Sequence, residues 1–596
     1  MAKITELPHA TAFAGEETVV LVQAEETRQA QLSALIEASA LLASTYLQTA
    51  MLGQRRRRIG WINPDDYVGI SYRNDYGVKF FDNGMRRYTM RRDDYTTRDD
   101  WRIAGIHITC PDDGLSYVAV NMARVRDPLL QGVAATIINV HNITGNDTTG
   151  TGSLVAPYRT VEKAIAVLNA DPDLAKVWDV RVRTTSFIGG NSAGWSLGTH
   201  TIAAGKKVHI HGVGATRPVL MPQVRNNFSK AMFAWQHLGG GVYKSTAGAI
   251  SVGARNTNIV CDLSINDENG MPIFGEWLAG PFADDDAVVT AMAGRTSAFH
   301  TSAANALYVK LASGAEPDPG INYAYVELSG AFALALGEGS RVKISNFRII
   351  TNAGVVTQTP LFARPAVYAL GPSQPNVEHD NELVFEDIES YGSSGNAFGM
   401  QSVRRWVVWN SKDGHSWLDG PNPHSLYTST NSNSPLEGSW QHTLIWWHLS
   451  LHHGPNPYFR HKPAVNSSAN AFTEHDRAWS TIGDSRGGAS NGAVVAFVGG
   501  SKGLLIGVDT HDPKQVVPSA EVYSAAYLAA GHAAFAPADP TELFLIDCAG
   551  WARPYGKTFY LEGAAKIVAA EFRHDGPIRK QLAGTGTLTD GYGGNL

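Results

Sequence analysis

Cysteine is almost missing from this chain: Cys110, Cys261 and Cys548 are the 3 in 596 residues, far apart and in no metal-ligand spacing. Disulfides therefore do not organise the fold, the three read as small apolar residues, and assembly in a reducing cytoplasm is open to it. Long apolar runs are lacking as well. No stretch of about 18 apolar residues occurs, so no membrane span is expected. Met1 to Pro8 has no apolar signal-peptide core, which disfavours a secreted polysaccharide lyase. Strong charge of either sign is absent too. With 49 Lys+Arg against 55 Asp+Glu the net charge is −6, which leaves no footprint for nucleic-acid binding. There is no phosphate loop and no Gly-x-Ser-x-Gly nucleophile elbow. His452 and His453 are adjacent and would point oppositely on a strand, so no joint metal site is expected there. Neither a metal nor a cofactor is anticipated.

What is present favours β structure. The 60 glycines, with frequent Asn, Ser and Thr, suit a turn-rich all-β architecture better than a helical bundle. The 43% hydrophobic content is enough for a large core, and 596 residues suggest several domains. The pattern divides into a small N-terminal module with a helix (1–60), a β-rich neck (61–135), a long β body (136–512) and a short C-terminal cap (513–596).

In the first module, Thr18 to Gln23 predicts a strand and about Ala24 to Met51 a helix. Leu32, Leu35, Ile36, Leu41, Leu42 and Tyr46 form its imperfect apolar stripe, which suits packing on its own module or against copies of itself in a trimer. Arg55 to Arg58, with Arg86, Arg87, Arg91 and Arg92, reads as a solvated face or a dock for an acidic surface. In the body, Asn142 to Ser153 is turn-rich and leads to Pro157 and Thr160, which start a helix with Val161, Ala164, Ile165 and Leu168 on one apolar face. Such a helix suits the capping of a solenoid's open end. Strands are expected at Val177–Thr184, Lys207–His211, Ile259–Ile265 and Tyr323–Leu328.

Two internal echoes follow. Val342 to Ile349 lines up with Leu383 to Ser390 at an offset of 41 residues. The polar pair in each interrupts the alternation, as a chain does when it turns a corner between strands. Ser393 to Phe398 likewise echoes Ser467 to Phe472. Irregularly spaced echoes suit a solenoid whose coils carry loops of varying length. Beyond Pro513, Ala525 to Ala538 is alanine-rich, and Phe544–Asp547 and Thr558–Leu561 read as strands.

The stretch from Gly145 through Gly150-Thr151-Gly152-Ser153 to Ala156-Pro157-Tyr158-Arg159-Thr160-Val161-Glu162-Lys163-Ala164-Ile165 resembles the opening of pectate-lyase-like right-handed parallel β-helices, common in bacteriophage tailspikes. Ile4-Thr5-Glu6-Leu7-Pro8, followed by Val19 to Gln23, resembles the N-terminal module of phage tail fibres and spikes. The resemblance covers roughly Met1 to Asp512. It implies a homotrimer in the virion, assembled in the host cytoplasm, joined through its N-terminus to phage tail or baseplate proteins and presenting its β-helix to a bacterial surface polysaccharide.

Candidate chemistry concentrates between Asp413 and Asp512. If strand alternation runs through Thr443 to His453, Ile445, Trp447, Leu449 and Leu451 point inward. Trp446, His448, Ser450 and His452 then point outward as an aromatic and hydrogen-bonding platform for sugar, or as a trimer interface. Asp413-Gly414-His415 resembles the Asp-Gly turn that precedes active coils in such spikes, and Asp413, His415 and Arg477 join the substrate-binding set. Glycoside hydrolysis needs two carboxyl groups across the bond. Glu474 and Asp476 share a strand face at i and i+2, and Asp484, Asp509 and Asp512 can approach from neighbouring coils. His475 could serve as a base, and with Arg477, His448 and Tyr458 it keeps a β-elimination route open. Depolymerase and non-catalytic adhesin are the rival functions.

Overall fold

The computed structural model describes residues 135–590 with interruptions (among them 221–233, 351–360, 366–381, 425–441 and 452–471), and before these only two short hairpins. Val22–Gln23 pairs antiparallel with Glu26–Thr27, and Ile106–Thr109 with Tyr117–Val120. The expected helix is thus corrected at its start. Glu26 and Thr27, expected inside that helix, are strand residues opposite Gln23 and Val22. The remainder of that helix and the arginine runs lie outside the described residues. Among the described residues the fold is all-β, mostly strand with two helices, and no helix is long and apolar enough to cross a membrane.

Parallel ladders dominate. The first contains Thr136–His141, Val177–Arg183, Lys207–Val213 and the leading half of Arg341–Ile350. It continues through the leading half of Glu382–Tyr391, then Arg405–Trp409, His442–Trp446, Trp479–Gly483 and Lys502–Ile506. The second contains the trailing halves of the two long strands, then Lys412–Gly414, Leu449–Leu451, Arg486–Gly488 and Asp509–His511. Further parallel sheets pair Gly198–Ile202, Phe332–Leu336 and Leu361–Pro365, and pair Phe472–Glu474 with Ala493–Val498 and its successors. The predicted echo is the physical pairing: Val342 sits opposite Leu383, Ile344 opposite Phe385 and Phe347 opposite Ile388. Its polar pair marks the corner. Asn346, Asp387 and Asn410 all have positive φ, at 59°, 56° and 45°, and Asn and Asp are the non-glycine residues that adopt this region most readily.

Alternation sends Val180, Val182, Val208, Ile210, Val342, Ile344, Leu383 and Phe385 into one continuous core, all at most 2% exposed. Each such side chain contributes about 1.5–3 kcal/mol by burial. The predicted helix forms at Val161–Ala170, and Val161, Ala164, Ile165 and Leu168 are its buried face. Thr160 Oγ1 accepts from Lys163 N at 3.2 Å, while Asp147 accepts from Arg159 N, Thr160 N and Thr160 Oγ1 at 2.8–3.1 Å. The turn-rich loop is thereby tied to the helix start.

Two expectations change. Ile259–Asn266 and Tyr323–Val326 are strands, but they pair antiparallel with each other. They belong to an antiparallel unit with its own small cores, around Val260, Phe299 and Val309 and around Val242, Val288 and Tyr308. This unit interrupts the parallel body, because strand propensity does not encode partner or direction. Parallel pairing also runs past residue 512. Lys566–Ala570 pairs with Glu542–Ile546 and with Thr587–Asp590. The alanine-rich segment supplies the strand Ala525–Ala530, with Tyr527 and Ala529 fully buried in the main core.

Candidate functional site

Once the chain has turned its Asn/Asp corner, Arg348, Glu389 and Lys412 stand side by side on neighbouring strands. They share the outer face, because the flanking Phe347, Ile349 and Ile388 fill the core. Arg217, just before the short strand Val219–Leu220, reaches across the corner. Its guanidinium donates to Asn346 Oδ1 at 3.1 Å and Asp387 Oδ1 at 2.8 Å, and pairs with Glu389 Oε1 at 2.8 Å. Arg348 Nε holds the other oxygen of Glu389 at 2.5 Å. One guanidinium fork thus grips two carboxyl groups, and two oxygens held at its two ends lie no more than about 8 Å apart.

The electrostatics of the two acids differ. Burial raises the pKa of Asp387, and Glu389 adds to the rise, while Arg217 opposes it. Glu389 lies between two guanidiniums. Burial also pulls the Lys412 ammonium below its ordinary range, and the Tyr391 phenol is pushed well above its own by burial and by Glu389. The antiparallel unit covers this end of the face. Lys412 Nζ donates to Asn269 O at 3.3 Å, and Phe274 packs on His415 and Tyr391 at ring-centre distances of 4.4 and 6.4 Å. A half-covered seam holding one acid biased toward protonation beside one paired carboxylate can perform acid–base chemistry on a bound group.

The predicted platform is corrected at its centre. His448 is buried, not outward: His448 and Asp413 are both 0% exposed, with Nε2 and Oδ2 at 2.8 Å. Ser450 Oγ donates to Asp413 Oδ1 at 2.6 Å, so Ser450 also points inward. The alternation does not run through, because one strand ends at Trp446 and the next begins at Leu449. Ile445 is buried in the main core as expected, whereas Leu449 and Leu451, though buried, stand on the outer row with Lys412 and Gly414, because Ser450 between them faces inward. The His448 ring lies between Phe398 and Phe472, 5.8 and 5.9 Å away, which are equivalent positions of the second echo. His415 is likewise buried, at a positive φ of 55°.

Asp509 is half-buried on the outer row of the second ladder, opposite Arg486. Four strand spacings along that row separate it from Glu389, about 19 Å. The strand residue Glu474 belongs to a different sheet, opposite Phe497. Trp446 stands opposite Trp409 and Gly483. Trp447, His452, Tyr458, His475, Asp476, Arg477, Asp484 and Asp512 lie outside the described residues. Sequence reasoning missed Arg217, Asp387 and Glu389. Their signal was the polar pair of the first echo, read there only as a corner. On the first ladder, Asp179, His209 and His211 form the one group among the described residues whose ligand atoms could hold a metal.

No family model matches the chain, and no curated protein matches it by sequence. Among solved structures it is similar to one described as a glycoside hydrolase, with TM-score 0.36 and 9% identity over 77% of this chain and 96% of that one. It is also similar to a GH136 lacto-N-biosidase from Eubacterium ramulus, with TM-score 0.31 and 10% identity over 75% of this chain and 68% of that one.

Proposed function

We propose that the chain is a bacteriophage tailspike, a homotrimer of right-handed parallel β-helices that binds and hydrolyses a bacterial surface polysaccharide. On this reading the N-terminal module fixes it to the virion. The architectural support is the register: strands joined at Asn/Asp corners pair in parallel with the strand one repeat later. The observation that carries the chemistry is the Asp387–Arg217–Glu389 clamp on the outer face. Asp387, held toward its acid form, donates its proton to the glycosidic oxygen as the bond to the anomeric carbon breaks. The Glu389 carboxylate takes the proton of the attacking water, or attacks that carbon itself, and the separation the clamp allows accommodates both geometries. Arg217 positions both acids, and a sugar docks in the seam beside Lys412.

The test is incubation of the purified trimer with capsule, exopolysaccharide and lipopolysaccharide from candidate hosts, following product size and reducing ends. New reducing ends without unsaturated-sugar absorbance support hydrolysis. Asp387→Asn and Glu389→Gln should each then lower turnover by about 10²–10⁴-fold. If Glu474→Gln and Asp476→Asn abolish turnover and the clamp variants do not, the site moves to that strand. Double pairing of Glu389 by arginines favours one rival reading, a non-catalytic adhesin whose clamp only fastens the corner. Tight binding of a glycan that stays intact would establish it.

A further inference from the structure

A second polar cluster stands on the same outer face, at the start of the first ladder. Val180, Val208 and Ile210 point into the core, so alternation places Asp179, His209 and His211 together on the outside. Parallel register sets Asp179 opposite His209 and Arg181 opposite His211. One ligand atom from each of Asp179, His209 and His211 lies within 4.8 Å of the other two. His211 Nε2 is 2.8 Å from Asp179 Oδ1, and the two imidazoles stack with centres 4.3 Å apart. Asp179 is 7% and His209 9% exposed, while His211 is half-buried, so two of the three donors are sheltered from bulk water.

We propose that Asp179, His209 and His211 form a binding site for a divalent transition ion of the zinc class. Two imidazoles and one carboxylate are the mixed nitrogen–oxygen donor set that zinc takes, whereas calcium and magnesium favour oxygen alone. Bonds of about 2.0–2.2 Å draw the three donors together by small side-chain rotations and leave a fourth position for water. The groups around them suit outer partners of a metal centre. Ser345 Oγ bonds His209 Nε2 at 2.8 Å, and Arg181 Nε donates to Asp179 Oδ2 at 2.8 Å. Lys343, the cation nearest in the same row, is paired with Glu386 at 2.5 Å, which offsets its repulsion of the ion. Such an ion ties adjacent strands of the stack together, and the inference does not rest on the glycan reading.

The test uses the full chain stripped with chelator, titrated with Co2+ and then competed with Zn2+. Expected are one ion per chain, the visible absorption of low-coordinate cobalt, its loss as zinc displaces it, and a rise in Tm with zinc that chelator reverses. His209→Gln and His211→Gln should each weaken binding by at least about tenfold, with His237→Gln on the antiparallel unit as the unchanged control. Circular dichroism checks that each variant is folded, and Asp179→Asn gives a third removal of a ligand. Absence of bound ion at tenfold zinc excess overturns the proposal and leaves a histidine–aspartate ion pair only. So does binding undiminished in both folded histidine variants.

Discussion

Asp413 is a carboxyl group wholly inside the protein, held by His448 and Ser450. Removing it strands an imidazole and a hydroxyl in the core. Asp413→Ala should therefore cost about 3–5 kcal/mol, read as a lower denaturant midpoint. Asp413→Asn keeps partners for part of the network and should cost less. If Asp413→Ala leaves the midpoint unchanged, the buried pair does not hold these strands. Asp387 makes the opposite kind of prediction. Its folded pKa is raised, so the proton is retained to higher pH than in the unfolded chain. The stability it contributes is present while it is protonated and is lost as pH rises through its folded pKa. Depolymerisation should fall over that same alkaline limb. A pH–rate profile in which Asp387→Asn removes the limb, as well as most of the rate, supports the assignment; a limb unchanged in the residual activity refutes it.

At the scale of elements, the helix Val161–Ala170 is set by its start. Thr160→Ala removes the cap to Lys163 N and should cost about 1 kcal/mol. Asp147→Ala releases the loop as well and should cost more; Tm measurements on the pair would order them. Ladder packing is tested at Gly503, opposite Ser480 and Leu543. A Cβ there would stand 2.5 Å from Phe497 Cε1 and 2.9 Å from Leu543 Cδ2. Gly503→Ala should therefore destabilise by about 1–3 kcal/mol through overpacking, and an unchanged Tm would mean that the rings yield. These two elements also show what was legible. The helix was readable because its cap and its apolar face are local. The inward turn of His448 was not, because the break between Trp446 and Leu449 leaves no distinctive residue pattern in the sequence.

For the whole molecule, the proposed trimer predicts a sedimentation mass three times the 64.1 kDa chain. A monomeric mass at micromolar concentration would remove that part of the reading. The parallel ladders extend to Thr587–Asp590, so truncation after residue 512 should remove Leu543, Leu545 and Ile567, expose the core at Phe497 and Leu505 beneath the lost strands and yield aggregated protein. A soluble, folded truncation would show that the later strands are dispensable.

Local patterning by itself determined the all-β class, the capped helix, the corner between paired strands and the 41-residue offset at which Arg348 meets Glu389. Each depends on residues near one another in sequence, or on a repeat that shows through similarity. Only the tertiary structure decided which strands are antiparallel and that His448 and Asp413 face inward. It also decided that Arg217, 170 residues before Asp387, closes on two carboxyl groups of a later strand. The physical reason is stacking: strands lie about 4.8 Å apart whatever length of loop separates them. Side chains with no sequence relation thus become neighbours, and their chemistry appears only when the ladder is assembled.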